Sequence, residues 1–460
     1  MTETGAAGGE NIFTDTEFTG SRDRRDVHPD SRWFPDAGLG VFFHWGISSV
    51  HGEIDISWGM RKNTPWDWRS MNTNKIRPSE YFALAERFNP RDYNPDLWIS
   101  AASAAGARYA VLTARHHEGY ALWPSAWGDF STRTHMQGRD LLQPYVDACR
   151  RYGLKVGFYY SPPDWHYWRK FFSFTSSNWD EVGPREEDPE VFELGKKLGL
   201  FSVDSPDLNE DWEPAGERPL PDSFQKAEYA KYLRGQIEEL LTRYGKIDLI
   251  WFDGTPDQGV EPPISQDEIR KLQPGIVINP RMHRTGDFET PECELPSEPI
   301  PGWWEVCFPW NRDGWGYSAS EIYHPLAWML DKYAKTRAWH GNLLINLAPD
   351  ADGKLPESCY RRLEGLAEWQ KKNSKALVHV DGGNWPVDCS VPYTVKDNIW
   401  YLFMAEGVRN AVVRRDKEPR QVTLLSTGTP VPFAFGEGKT LVTLRPSQQS
   451  EDTSVVKLEW

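Results

Sequence analysis

Residues 222–254 read DSFQKAEYAKYLRGQIEELLTRYGKIDLIWFDG. Asp222, followed three residues later by Gln225, is a capping box and opens a helix. Tyr229, Leu233, Ile237, Leu240, Leu241 and Tyr244 then recur at helical spacing and give it one apolar face. Gly245 ends it. Ile247-Asp-Leu-Ile-Trp-Phe252 follows at once and is nearly all apolar, as a strand buried on both faces must be. The unit closes on Asp253-Gly254. A helix feeding a doubly buried strand is the repeating piece of a parallel sheet covered by helices.

The same unit recurs outward from there. Leu39-Gly-Val-Phe-Phe43 is a strand, and Asn94-Pro95-Asp96 opens a helix through Ala105. Tyr109 to Thr113 is a strand. Leu141, Leu142, Tyr145, Val146, Cys149 and Tyr152 form one helix face, closed by Gly153 and followed by the strand Leu154 to Tyr160. Gly275 to Ile278 and Leu343 to Ile345 read as two more strands. The expected fold is α/β, with a (β/α)8-like barrel over residues 29–375. A doubly wound open sheet is the alternative, but no GxGxxG or P-loop pattern accompanies these strands. The acidic, Pro- and Ser-rich stretch 167–221 interrupts the rhythm and reads as an insertion over a binding face. Residues 1–28 read as a flexible polar tail. Over 376–460, short β-type runs (378–380, 400–404, 422–425, 440–444, 455–458) between turn signals indicate a small C-terminal β-sandwich.

Composition narrows the function. The 460 residues carry a formal net charge of −15. Such a chain repels phosphate backbones and anionic bilayers, so neither nucleic acid nor membrane is an expected partner. The five scattered cysteines form no CxxC pair, which argues against a disulfide scaffold or a zinc ribbon. No leader is read at Met1–Gly9, so a reducing cytoplasm is expected. The 23 Trp residues, beyond those that fill a core, suit a cleft for sugars.

Barrel enzymes place their chemistry at the C-terminal ends of strands. Here the strands end in His44, in His116-His117-Glu118, in Tyr159-Tyr160-Ser161, in Asp253, in Asn279-Pro280-Arg281 and in Asn346, a set that predicts one shared site. A metal is not expected. His116 and His117 are adjacent and should point to opposite sides of an extended chain, and neither HxH nor HExxH spacing occurs. Asp253, after an apolar strand and before a glycine, suits a nucleophile or base. Glycoside chemistry needs a second carboxyl group. Asp287-Phe-Glu-Thr-Pro-Glu-Cys-Glu294 offers several, and Glu305 sits in a Trp-rich stretch that would desolvate it.

These motifs resemble the retaining α-L-fucosidases of glycoside hydrolase family 29. The resemblance rests on Gly38-Leu-Gly-Val-Phe-Phe-His-Trp-Gly46, Tyr109-Ala-Val-Leu-Thr-Ala-Arg-His-His-Glu-Gly-Tyr-Ala-Leu-Trp123, Gly138-Arg-Asp-Leu141, Lys155-Val-Gly-Phe-Tyr-Tyr-Ser161, Leu249-Ile-Trp-Phe-Asp-Gly254, Trp315-Gly-Tyr317 and Gly341-Asn-Leu-Leu-Ile-Asn346. It implies a barrel with a C-terminal β-sandwich and exo-hydrolysis of terminal α-L-fucosyl residues from oligosaccharides by double displacement, with no cofactor. It implies Asp253 as nucleophile. The Asp287-Phe288-x-Thr290-x-Glu292 pattern implies Glu292 as acid/base, with Glu305 in reserve. His44, Trp58, His116, His117, Tyr159 and Arg281 would bind the sugar, and Trp315 would pack near its methyl group. Many members carry a Glu-Trp pair where this chain has Ser57-Trp58. That departure admits another L-galacto-configured sugar as substrate. A non-catalytic carbohydrate-binding relative is the remaining alternative.

Overall fold

A computed structural model describes residues 28–62, 74–175, 207–216 and 218–460. Residues 1–27 of the expected tail, and 176–206 and 217 of the expected insertion, lie outside the described residues.

Among the described residues seven parallel strands form one sheet: β1 (Leu39–Phe43), β2 (Tyr109–Arg115), β3 (Lys155–Tyr160), β4 (Leu249–Phe252), β5 (Val277–Ile278), β6 (Glu305–Pro309) and β7 (Asn342–Leu347). Their order is β5-β4-β3-β2-β1-β7-β6. This is chain order wrapped round a cylinder, not the reversal of a doubly wound sheet. An irregular stretch spans the gap between the two edge strands. The Asp287 N–H donates to Ile278 O on β5 (2.7 Å), the Glu289 N–H to Trp303 O (2.9 Å) and the Cys293 N–H to Cys307 O on β6 (2.9 Å). Glu305 and Cys307 donate back to the carbonyls of Glu289 and Pro291. Pro291 has no N–H, and Cys293 takes a left-handed φ of 59°, so this eighth stave never becomes a regular strand. It carries Glu292 into the barrel mouth.

Alternation along the strands divides two cores. Val41, Phe43, Leu112, Phe158, Ile250 and Phe252 pack outward against the helices. Phe42, Tyr109, Val111, Tyr159, Leu249 and Trp251 fill the barrel. The capping box at Asp222 is formed and opens the helix Ser223–Thr242. The helices Pro95–Ala104 and Leu142–Arg151 lie within a residue of the sequence reading. β5 is shorter than its apolar run, because Gly275 turns at φ 77° ahead of it and Pro280 follows. The helices Gln266–Leu272, Leu326–Ala338 and Glu357–Asn373, and strand β6, go unmarked by the sequence reading.

The C-terminal part holds two antiparallel sheets. One orders β12 (Gln421–Leu424), β15 (Ser454–Glu459), β10 (Ile399–Met404), β9 (Tyr393–Lys396) and β8 (Asp381–Gly382). The other orders β11 (Asn410–Arg414), β14 (Lys439–Thr443) and β13 (Phe433–Gly436). Leu402, Val413, Val442 and Val456 bury their shared face. The run 378–380 is not a strand, since it continues from the 3-10 turn Ser374–Ala376. No helix among the described residues is long and apolar enough to cross a membrane.

Candidate functional site

The strand ends converge as the barrel rule requires. The His44 ring lies 5.4 Å from Tyr159 and 5.0 Å from Trp315, and the His116 ring stacks on Tyr159 at 5.3 Å. Trp58 meets His117 edge-on at 5.4 Å.

Asp253 lies at the centre. Arg281 Nη1 donates to its Oδ1 (2.8 Å) and Tyr159 Oη donates to its Oδ2 (2.6 Å). His117 Nε2 lies 3.4 Å from the same Oδ2. Burial pushes this carboxyl up, but Arg281, His117 and Tyr159 together outweigh burial and hold it well below the usual carboxylate range. It is a poised anion at neutral pH. The other half of the Arg281 fork reaches Glu292, with Nη2 donating to Oε2 at 2.8 Å. Arg281 Nε and Nη2 also donate to Thr290 Oγ1 and O, and Trp251 lies under the guanidinium at 4.3 Å. One guanidinium therefore spans both carboxylates and places their nearest oxygens within about 8 Å of each other, the reach of its planar fork. Burial opposes the Arg281 charge, yet Glu292 and Asp253 raise its pKa beyond the ordinary arginine value. Arg281→Met would leave two neighbouring carboxylates without their shared cation. The expected result is an activity loss of roughly 100-fold and an acid limb moved to higher pH, because Asp253 loses the cation that holds its carboxyl pKa down. A pH profile of kcat/KM checks it.

The three imidazoles are held by different partners. Asn346 Nδ2 donates to Trp315 O (2.7 Å), so its Oδ1 is the atom facing His44. That oxygen accepts from the His44 backbone N–H (3.2 Å) and from Nδ1 (2.8 Å). His44 Nε2 is left as an acceptor. Burial lowers the His44 pKa to about 4, so the ring is neutral and its Nε2 can accept a hydrogen bond from a ligand hydroxyl. Ser161 Oγ donates its single hydrogen to Pro163 O (2.9 Å) and must accept from His117 Nδ1 (2.6 Å), which turns His117 Nε2 toward Asp253. Ser161 is fixed in turn by Arg115. That buried guanidinium donates to Ser161 O and to Asp164 (3.1 Å), and to Tyr232 and Gln236 (both 2.9 Å) on the helix Ser223–Thr242. His116 Nδ1 bonds Ser57 Oγ (2.7 Å), with Glu118 Oε2 3.5 Å away, and burial lowers its pKa to about 4.

The sequence expectation that His116 and His117 diverge is wrong. Their ring centres are 4.3 Å apart and both rings are buried at the site. The chain leaves β2 at Arg115 and turns, with the Gly119 N–H bonding His116 O (2.9 Å), so strand alternation no longer applies. Among the described residues His116, His117 and Asp253 bring one ligand atom each within 4.8 Å of the others. Arg281 already occupies Asp253, and its positive charge opposes a cation there.

Trp315 is positioned from two sides. Asp55 Oδ1 accepts from the Trp315 and Gly316 N–H groups (2.8 and 3.3 Å), and Asn346 holds the Trp315 carbonyl. Glu305 does not join the mouth. It begins β6, is 1% exposed, and bonds Tyr109 and Trp251 (3.0 Å from Nε1) inside the barrel. The desolvation expected of it is present, and burial raises its pKa to about 7. With Trp251 between it and Arg281, however, it has no path to a ligand at the mouth, and the reserve acid/base role is withdrawn. The sequence reading places Ser161 in the strand-end set and Thr290 in the 287–292 pattern without giving either a partner, and it gives no role to Arg115.

A family model described as Alpha-L-fucosidase matches residues 8–375. The tissue alpha-L-fucosidase of Rattus norvegicus is 26% identical over 425 residues, covering 84% of this chain and 79% of that protein. The Homo sapiens tissue alpha-L-fucosidase is 24% identical over 425 residues, covering 84% and 78%. Among solved structures, alpha-L-fucosidase isoenzyme 1 from Paenibacillus thiaminolyticus superposes with a TM-score of 0.72 at 27% identity, over 94% of this chain and 98% of that one. A GH29 alpha-L-fucosidase from Bacteroides thetaiotaomicron, a trapped covalent intermediate with 2-fluoro-fucosyl fluoride, superposes with a TM-score of 0.73 at 22% identity, over 97% and 98%.

Proposed function

The chain belongs to the alpha-L-fucosidase family of glycoside hydrolases, and from that premise we propose that it is a retaining exo-α-L-fucosidase acting on terminal fucosyl residues of oligosaccharides. The observation that carries this reading is the single guanidinium joining Asp253 to Glu292 at the barrel mouth. Double displacement needs two carboxyl groups about 5–5.5 Å apart, and a shared Arg fork accommodates that spacing. The covalent intermediate trapped in the Bacteroides thetaiotaomicron relative supports the same two-step course here.

In the first step Asp253 attacks the anomeric carbon while Glu292 protonates the departing oxygen. A fucosyl ester forms on Asp253 and the aglycone leaves as an alcohol. In the second, Glu292 takes a proton from water, the water oxygen attacks the same carbon, and the ester bond breaks to return the Asp253 carboxylate. Two inversions give net retention. Arg281 and Tyr159 aim the Asp253 oxygens, and the neutral His44 accepts a sugar hydroxyl. Trp315, against Phe42 (6.2 Å) and His44, offers an apolar face to the methyl group.

Ser57 favours a second reading, since it is short, uncharged and committed to His116 (2.7 Å), leaving room for another L-galacto sugar. Parallel assays on the 4-nitrophenyl α-L-fucoside and α-L-galactoside decide between the two. An added hydroxyl against an apolar face costs on the order of 10- to 100-fold, so kcat/KM should favour the fucoside by that ratio. Preference for the galactoside would establish the second reading. Silence on both would favour a binding protein without catalysis.

A further inference from the structure

Glu305 is a buried titratable group that neither step uses, yet it is built into the support of the nucleophile. Its Oε1 accepts from Trp251 Nε1 at 3.0 Å and its Oε2 bonds the Tyr109 hydroxyl. The Trp251 ring lies 4.3 Å beneath the Arg281 guanidinium and stacks on Tyr159 at 5.6 Å and 16°. Arg281 and Tyr159 are two of the three groups that hold the Asp253 oxygens, His117 being the third. A continuous chain of contacts thus runs from a carboxyl on the barrel floor, through one indole, to two of the groups that hold the nucleophile.

We propose that Glu305 is a positioning residue for Asp253, acting through Trp251, and that its ionisation tunes the field of Arg281 at the nucleophile. The proposal rests on the glycosidase reading of the site. Two features of the surroundings support the ionisation part. The groups that face Glu305 are Tyr109 from β2, Trp251 from β4, Cys307 from β6 and Arg281 beyond β5, and of these Arg281 alone is cationic. Protonation also leaves the geometry intact. A neutral carboxyl still accepts from Trp251 on one oxygen and donates to Tyr109 from the other. Glu305 can therefore change charge without moving Trp251. When ionised it adds negative potential beneath a transition state that develops positive charge on the sugar, and so stabilises it. Burial, opposed by Tyr109, Trp251 and Arg281, pushes its pKa up to about 7, within the working range.

The test compares Glu305→Gln with wild type on 4-nitrophenyl α-L-fucoside from pH 5 to 9. The amide keeps the bond from Trp251, reverses the one to Tyr109 by donating from its Nε2, and removes the charge. The two enzymes should agree at pH 5, where both groups are neutral. Above pH 7 kcat/KM of the variant should fall about fivefold below wild type. A constant ratio at every pH would mean a space-filling role and overturn the proposal. Should Glu305→Gln fail to fold, Tyr109→Phe serves instead. It removes a bond that favours the ionised form, so the inflection near pH 7 should move upward; an unmoved inflection overturns the proposal. Wild-type silence on the fucoside would reject the substrate reading alone. The floor claim is then read from 13C NMR of side-chain-labelled Glu. A carboxyl signal titrating near pH 7 in wild type and missing from Glu305→Gln is expected, and its absence from wild type overturns the claim.

Discussion

Asp253→Asn removes turnover of 4-nitrophenyl α-L-fucoside, with an expected fall of at least ~10⁴-fold in kcat/KM, or about 5 kcal/mol of transition-state stabilisation. The amide is isosteric and keeps an oxygen for Tyr159 or Arg281, so the mouth should hold its shape. What it loses is the anion that, in the proposed mechanism, forms the bond to the anomeric carbon. Asp253 in the wild type is held well below the usual carboxylate range, because Arg281, His117 and Tyr159 outweigh its burial. The nucleophile should therefore remain ionised throughout the neutral range and set no limb of the pH profile there. Residual activity above one per cent of wild type would mean that another group attacks.

The second large effect is on the other carboxyl group, and it should have a different kinetic form. 4-Nitrophenolate departs without a proton, so Glu292→Ala should leave the first step on this substrate nearly intact. Deglycosylation needs a base to activate water and should slow by about 10²- to 10⁴-fold. A burst of 4-nitrophenol equal to the enzyme concentration should then precede a slow steady state, with KM lowered because the intermediate accumulates. Azide needs no deprotonation, so it should restore turnover and give a fucosyl azide of retained configuration. Substrates with poor leaving groups should stay inert. Equal losses on good and poor leaving groups, with no azide response, would remove Glu292 from the acid/base role.

The residues needed for these two experiments were legible in the sequence for different reasons. Asp253 stands out from local pattern, as a carboxylate closing an apolar strand after a capped helix, and the barrel rule then places it at the mouth. His44, Arg281 and Asn346 follow from the same rule. Glu292 does not. Several carboxylates lie near it, and it rides an irregular stave that pairs with both edge strands without strand periodicity. Only the resemblance of 287–292 to one family pattern singles it out. Glu305 looked equivalent because burial among tryptophans can be read from composition, whereas the direction it faces requires the register of β6, which its short run with a terminal proline hides. Strand alternation does not extend past Arg115, the last residue of β2, so it gives the wrong directions for His116 and His117. The supports farther out, such as Arg115 on the turn at Ser161 and Asp55 on the loop at Trp315, join residues up to 260 positions apart and leave no local mark.

The central claim is covalent attack by Asp253, and one measurement addresses it directly. A 2-fluoro-fucosyl fluoride has a good leaving group, while its fluorine destabilises the oxocarbenium-like transition states, so the glycosyl-enzyme outlives its formation. Incubation with the wild type followed by peptide mass mapping should find one 2-fluorofucosyl group on the peptide containing Asp253. The same peptide from Asp253→Asn should be unmodified. A label on any other side chain, or a reaction product of inverted configuration with no label at all, would contradict the account.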